Sequence, residues 1–428
     1  MGGYSDGDYF TDLSLVEDPY PYFEALRSRG ALVRLPDRNV VAVVGFEEAL
    51  AVHLDTDHFS AVNSVTGPIP PLPFVPDGDD ITPQIDAHRA GMPFGDELLT
   101  QDPPRHAVLR SLLMRLFTPR RLREMEPYLT SLADRLIDEF AEAGRCELIR
   151  DYAAPFALLA IADLLGIPET DRPAFRSMLG ARPSQIGGET RSPMINPLEF
   201  RKERFLGYVA ERRETPRNDI LSDLANARYP DGSTPDPMDV VRGASLLFGA
   251  GQDTTATLLG ACLRIVAEHP QLQAQLRSDE ALLPAFIEEV LRIGGPVKAT
   301  FRLVRKPVTI AGVAMKPGET VMITTAAVNR DPARFAAPGE FRLDRDTGKD
   351  HLAFGRGAHT CPGAALARTE VRISLERILA RRADIRLDEA VHGPADHSRF
   401  DYAPSYVFRA LAELHLDFAP TQGFGSGS

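Results

Sequence analysis

The chain has 428 residues, 43% of them hydrophobic and 25% charged, which is ordinary for a globular protein and enough to bury a large core. Its formal net charge of −12 argues against general nucleic-acid binding, because contact with phosphates wants a basic surface. Three scattered cysteines, Cys146, Cys262 and Cys361, make no disulfide framework and suit a reducing compartment, and no stretch of about eighteen apolar residues offers a membrane anchor.

Residues 1–17 begin acidic, carry no signal-peptide pattern and read as an N-terminal arm. The run from Asp18 predicts a helix leading to a short strand within 18–35, and the β-branched Val40–Val44 predicts a second strand. Helix returns at 46–53, and no fixed-period repeat is present. From Ser60 to Gln101 the periodicity collapses. The prolines of 67–76 remove donors and clash with a preceding turn, so this segment cannot be helical. A loop of that length is usually functional or disordered, and Ile69, Leu72, Phe74 and Val75 would sit in water unless they cover something.

Helix resumes after Asp102-Pro-Pro, with the prolines in the entry turn, and places His106 and Arg110 on one face. Residues 120–147 and 151–166 predict an amphipathic and a buried helix, the second stopped by Gly166-Ile-Pro168. Residues 170–214 predict two helices joined by a Gly/Pro/Ser-rich link from Ala181 to Pro197. The longest helical pattern, 237–268, carries two glycines and four polar residues in its middle, Gly249-Ala-Gly-Gln-Asp253-Thr254-Thr255. These are poor helix formers, so a local distortion is expected there, with threonine hydroxyls drawing on freed carbonyls. Glu289 and Arg292 lie three apart on the next helix, Val297-Lys298-Ala-Thr-Phe-Arg302 follows, and 307–326 alternates as a small sheet. Tyr402–Phe408 returns as a hairpin, and 419–428 reads as a flexible tail.

Residues 351–363, His-Leu-Ala-Phe-Gly-Arg-Gly-Ala-His-Thr-Cys-Pro-Gly, put Cys361 in a tight turn among Gly355, Gly357 and Gly363, just before a helix. Such glycines let backbone N–H groups turn inward, and a helix N-terminus favours the thiolate. No second cysteine or histidine stands at zinc spacing. A lone thiolate inside a large protein is either a nucleophile or an axial ligand to haem iron.

The run Phe354-Gly-x-Gly-x-His359-x-Cys361-x-Gly363 resembles the haem-ligand signature of the cytochrome P-450 superfamily, the haem-thiolate monooxygenases. The resemblance covers residues 18–418 with the motifs in family order. It implies a single domain, mainly α with small β-sheets, in the cytochrome P-450 fold: a triangular helical prism around a buried haem. The cofactor expected is haem b, with Cys361 as the iron ligand, Phe354 packed beside the sulfur, and His106, Arg110, Arg302 and His359 on the propionates. Asp253 and Thr254 match the family's acid–alcohol pair that handles bound dioxygen, with room left by Gly249 to Gly251. Glu289, Arg292 and Arg345 match its buried charge network. The 60–101 loop would cap the substrate pocket, and the helix pair of 170–214 would form a lid. Phe74, Phe248, Gly249, Val297, Lys298 and Tyr406 are the pocket candidates. Lys298 departs from the family's apolar pattern: either its stem carries the ammonium away, or it meets an anionic substrate.

The implied activity is insertion of one oxygen atom into a small hydrophobic organic substrate. Electrons would pass from NAD(P)H through a separate ferredoxin or flavodoxin and its reductase, because no flavin or iron–sulfur motif is present. Arg110, Arg115, Arg120, Arg121 and Arg356 offer that partner a basic face. The implied protein is of the bacterial type, cytoplasmic, monomeric and without a membrane anchor. Three rival activities stand beside this one. A peroxide-using relative would replace Asp253-Thr254 by Arg-Pro. An oxidative-coupling relative would join two centres instead of inserting oxygen, and a non-catalytic haem sensor would need no proton relay.

Overall fold

A computed structural model describes residues 7–35, 38–114, 116–173, 197–346 and 348–420. Most of the core is helical, and its axis is the helix Pro237–Glu268. Asp236 caps it by accepting from the Met238 N–H, and Pro237 at the first position loses nothing by lacking a donor. At 1.5 Å per residue it is about 48 Å long, enough to cross the molecule. It ends at His269, which Pro270 keeps out of the helical region (φ −128°, ψ 82°).

The helix is unbroken through Gly249–Thr255, contrary to the expected distortion. The Thr254 hydroxyl donates to the Ala250 carbonyl at 2.7 Å and that of Thr257 to the Asp253 carbonyl at 2.7 Å, so these side chains back-bond without displacing the ladder. Packing of the flanking turns outweighs the weak local propensity: Leu247, Phe248 and every residue from Thr255 to Gly260 are buried, while none of 249–254 is.

Ala154–Leu165 packs beside this helix and is buried almost throughout, ending at Gly166 in the left-handed region (φ 80°). The helix expected to run to 147 stops at Phe140. Arg145–Glu147 is instead a strand, because its edge pairs with the C-terminal strand His415–Pro420, which also pairs with Arg382–Leu387. Tertiary pairing here overrides helical pattern.

A second sheet runs in the order Leu32–Leu35, Val40–Val43, Thr320–Ile323, Thr300–Val304, Phe59–Ser60. Val40–Val43 and Thr320–Ile323 are parallel and fully buried, as two-sided burial of β-branched runs predicts. The hairpin Val308–Ile310 to Val313–Met315 turns through Ala311 and Gly312, both at positive φ. Residues 7–17, set apart in the sequence as an arm, bury Tyr9 and Phe10 against Tyr22, Phe23, Phe301 and Tyr406.

The 60–101 stretch is not structureless. Thr82–His88 is helical, and Val62, Ile81, Ile85, Met92 and Leu303 form a small cluster on which Leu72 and Phe74 pack. Ile69 joins the cluster around Tyr9, while Val75 is 84% exposed. In the expected lid region the helix Pro197–Glu214 is described. The link from Ala181 to Asn196 and the tail from 421 lie outside the described residues. No described helix is long and apolar enough to cross a membrane.

Candidate haem-binding site

Three elements converge on the cysteine turn: the helix Arg105–Leu113, the strand Thr300–Val304 and the helix Phe46–Leu54. The turn closes on itself, with the Cys361 N–H donating to the Phe354 carbonyl at 2.8 Å and the Gly355 N–H to Leu352 at 2.9 Å. Gly355 and Gly357 are left-handed (φ 67° and 70°), and a Cβ on Gly357 would lie 2.8 Å from the His53 carbonyl oxygen, so neither position admits a side chain cheaply. Gly363 differs: its φ of −87° is open to any residue, and it serves as the cap of the helix Ala364–Arg381.

Burial pushes the Cys361 thiol up, and the Gly363 backbone N–H and the guanidiniums of Arg110 and Arg368 pull it down again. The helix terminus therefore does not by itself make a thiolate here; desolvation outweighs it. A sulfur held this way is suited to being deprotonated by a metal.

The rings of His106 and His359 lie with centroids 4.0 Å apart, tilted by 39°, and Arg110 donates to the Thr360 carbonyl at 2.5 Å. Arg302 is buried, and donates to its neighbour's carbonyl at 2.7 Å. Burial lowers its pKa to about 10, and burial together with nearby cations lowers His106 to about 4 and His359 to about 2. No ion pair satisfies any of these four among the described residues. The nearby Asp102 carboxylate is taken by Arg89, the Ser60 hydroxyl and the Ala61 N–H. Two guanidiniums without an ion pair and two imidazoles that burial holds neutral leave donors unmet, and such a seat destabilises itself unless an anion completes it. Two haem carboxylates beside a cysteine turn meet that demand, so the residues present fit haem.

The buried network is complete in itself. Glu289 takes a bidentate pair from Arg292 at 2.8 and 2.7 Å and two further bonds from Arg345 at 3.1 and 3.2 Å. The remaining donors of Arg292 go to the carbonyls of Asn329, Pro338 and Glu340.

Asp253 is exposed and Thr254 half-buried in the middle of the long helix. Among the pocket candidates, Phe248 is buried near Phe205 and Gly249 lies half-buried beside it. Phe74 sits 5.0 Å from the His88 ring. Val297 bridges Phe408, and the Tyr406 hydroxyl bonds the Thr66 carbonyl at 2.8 Å. Lys298 is buried, with its ammonium 5.9 Å above the Tyr9 ring and its pKa lowered to about 7 by burial and by Arg409. Of the basic face, Arg120 pairs with Glu124 at 2.7 Å and Arg121 with Asp223, while Arg115 lies outside the described residues. Arg356 turns towards the Gly355 and Asp350 carbonyls at 3.4 Å.

Three features escape the sequence reading. Glu288 bonds both Arg368 and His351, and Arg368 stacks 4.5 Å over Phe354, bracing the residue that begins the cysteine turn. Glu370 is buried and accepts from the Thr255 hydroxyl at 3.0 Å, with burial raising its pKa to about 8. Its placement was detectable, since Leu366, Glu370 and Ser374 repeat at helical spacing on one face. His53 was detectable likewise, one turn after the buried Ala49.

A cysteine at the head of a helix, a seat for two carboxylates and a brace beneath the turn define the haem-thiolate class. The comparisons with known proteins agree. The family model for cytochrome P450 matches residues 188–382. Cytochrome P450 144 of Mycobacterium tuberculosis is 33% identical over 421 residues, covering 96% of this chain and 91% of that protein. Cytochrome P450 monooxygenase PikC of Streptomyces venezuelae is 34% identical over 386 residues, with coverage of 87% and 85%. The solved structure of Mycobacterium marinum cytochrome P450 CYP150A6 in its substrate-free form is 51% identical, with a TM-score of 0.92 over 98% of this chain and 100% of that one. The chain belongs to the cytochrome P450 family, and so is a monooxygenase that uses haem and dioxygen.

Proposed function

We propose that the chain hydroxylates a small hydrophobic organic molecule, with electrons from NAD(P)H delivered by a ferredoxin or flavodoxin and its reductase. Haem, when bound, supplies dioxygen activation at an iron held by the Cys361 sulfur. Around it, His106, Arg110, Arg302 and His359 hold the two carboxylates in register, and Phe354, braced by Arg368, keeps the sulfur side packed and dry. Thr254 presents a hydroxyl to the oxygen side, and Asp253 exchanges protons between that hydroxyl and solvent. Phe248, Gly249, Val297 and Tyr406 are assigned to the wall of the substrate pocket. The Lys298 amine lies over the Tyr9 ring, and burial, which lowers its pKa to about 7, weakens its charge, so a neutral substrate is favoured over an anionic one.

The observation that carries this reading is the bond between Thr255 and Glu370. It ties the residue next to Thr254 to the helix that begins just after Cys361, which supports a fixed relation between the acid–alcohol pair and the sulfur. Thr254→Ala tests it. Reductant and dioxygen should be consumed at near the wild-type rate while product per dioxygen falls by about a hundredfold, the scale of one lost proton-transfer group. An unchanged product yield would remove Thr254 from the chemistry.

A further inference from the structure

The cationic seat contains one group that the sequence motifs do not assign. His53, on the helix Phe46–Leu54, is 4% exposed, and both its ring nitrogens are buried without a hydrogen-bond partner. Neutral imidazole carries one donor and one acceptor, and leaving both unmade in the interior is costly. The ring lies against the cysteine turn: a Cβ on Gly355 would sit 3.7 Å from its Cε1, and the glycine at 357 rests on its carbonyl. Arg302 and Arg356 are close enough, together with burial, to hold it neutral with a pKa of about 3, and it acts in turn on His359. No carboxylate faces it in the pair and hydrogen-bond network of the described residues.

We infer that His53 is a further carboxylate-positioning residue for the haem, donating a ring N–H to the same anionic edge that His106, Arg110, Arg302 and His359 surround. The inference rests on the haem reading above. Its physical basis is the contrast with the other buried imidazoles outside the seat. His392 bonds the Arg399 carbonyl at 3.1 Å and accepts from the His415 N–H at 2.9 Å, and His351 contacts Glu288 at 3.2 Å. Those histidines are satisfied by the protein; His53 is satisfied by neither its own helix nor the turn it touches.

The test is the rate of haem transfer from the holoenzyme to excess apomyoglobin, measured for wild type, His53→Leu and His53→Gln, alongside urea unfolding followed by far-UV circular dichroism. His53→Leu should lose haem about tenfold faster, the value of one hydrogen bond to a charged group. His53→Gln, which keeps a donor of similar reach, should stay within about twofold of wild type. The urea midpoint of the helix signal should fall in His53→Leu by no more than a tenfold weaker hold on haem accounts for, and haem should leave at lower urea than the helix signal is lost. Unchanged haem transfer in His53→Leu would overturn the inference. So would a parallel loss of haem and helix signal, or a failure of His53→Leu to fold while His53→Gln folds, since either marks a packing role. A wild-type protein that takes up no haem would instead sink the haem reading itself.

Discussion

Around Glu289, both arginines find partners inside the protein: Arg292 places every guanidinium nitrogen on a carboxylate or a carbonyl, and Arg345 adds a second cation to the same acid. Around His359 the donors face one another instead: two tilted imidazoles that burial holds neutral, and the buried Arg302, with no ion pair among the described residues. Both regions hold buried charged side chains, yet one is closed and the other open. A closed network costs little to keep and much to break, because removal of one member strands the others. An open one destabilises the bare fold and is stabilised by whatever anion completes it. The first therefore belongs to folding and the second to cofactor binding.

Breaking the closed region should give the largest effect. Arg292→Ala leaves Glu289 with Arg345 and the Arg342 backbone N–H alone and should cost about 3–5 kcal/mol, so that neither helix signal nor Soret absorbance survives expression. A folded, haem-bearing Arg292→Ala protein would make the network decoration. Lone buried groups sharpen the comparison by taking a third course, the loss of charge. Lys298 drops from 10.5 to about 7, so between those values the fold is without a proton that the unfolded chain keeps, and stability rises with pH across that window. Lys298→Met should accordingly stabilise by about 2 kcal/mol below neutral pH, with the gain shrinking towards the upper end of the window. Urea midpoints against pH check this; a pH-independent difference would contradict it. Glu370 moves the other way, from 4.5 to about 8, so the fold retains a proton that the unfolded chain releases, and stability falls as pH rises through that range. Glu370→Gln should flatten that slope, by about 1 kcal/mol per pH unit at most, and should shift stability little at the acid end. A slope that persists in Glu370→Gln would assign it to other groups.

Much of this was legible in the residues because local rules and global fold agree. Pro237 and Pro270 bracket the long helix, and Gly166 stops its neighbour. The turn around Cys361 announces itself by two glycines that take positive φ. What stayed hidden was set by partners distant in sequence. Arg145–Glu147 extends only because the C-terminal strand lies beside it, and the helical middle of 249–255 holds because its flanks are packed. The thiol of Cys361 looked acidic from its place before a helix, yet desolvation, which no local pattern reveals, pushes it the other way. His53 and Glu370 fall on buried helical faces, but a periodic pattern says only that a residue is inside and not what it faces.

The contrast between the two charge clusters is tested most directly on Arg302→Leu, with far-UV circular dichroism and Soret absorbance recorded on the same samples through a urea titration. The account predicts that haem is lost at distinctly lower urea than in wild type, while the helix signal survives beyond that point, because an unpaired buried cation has been removed from the fold. Coincident loss of both signals, at lower urea than in wild type, would mean that Arg302 holds the fold as Arg292 does, and the division between the two clusters would be wrong.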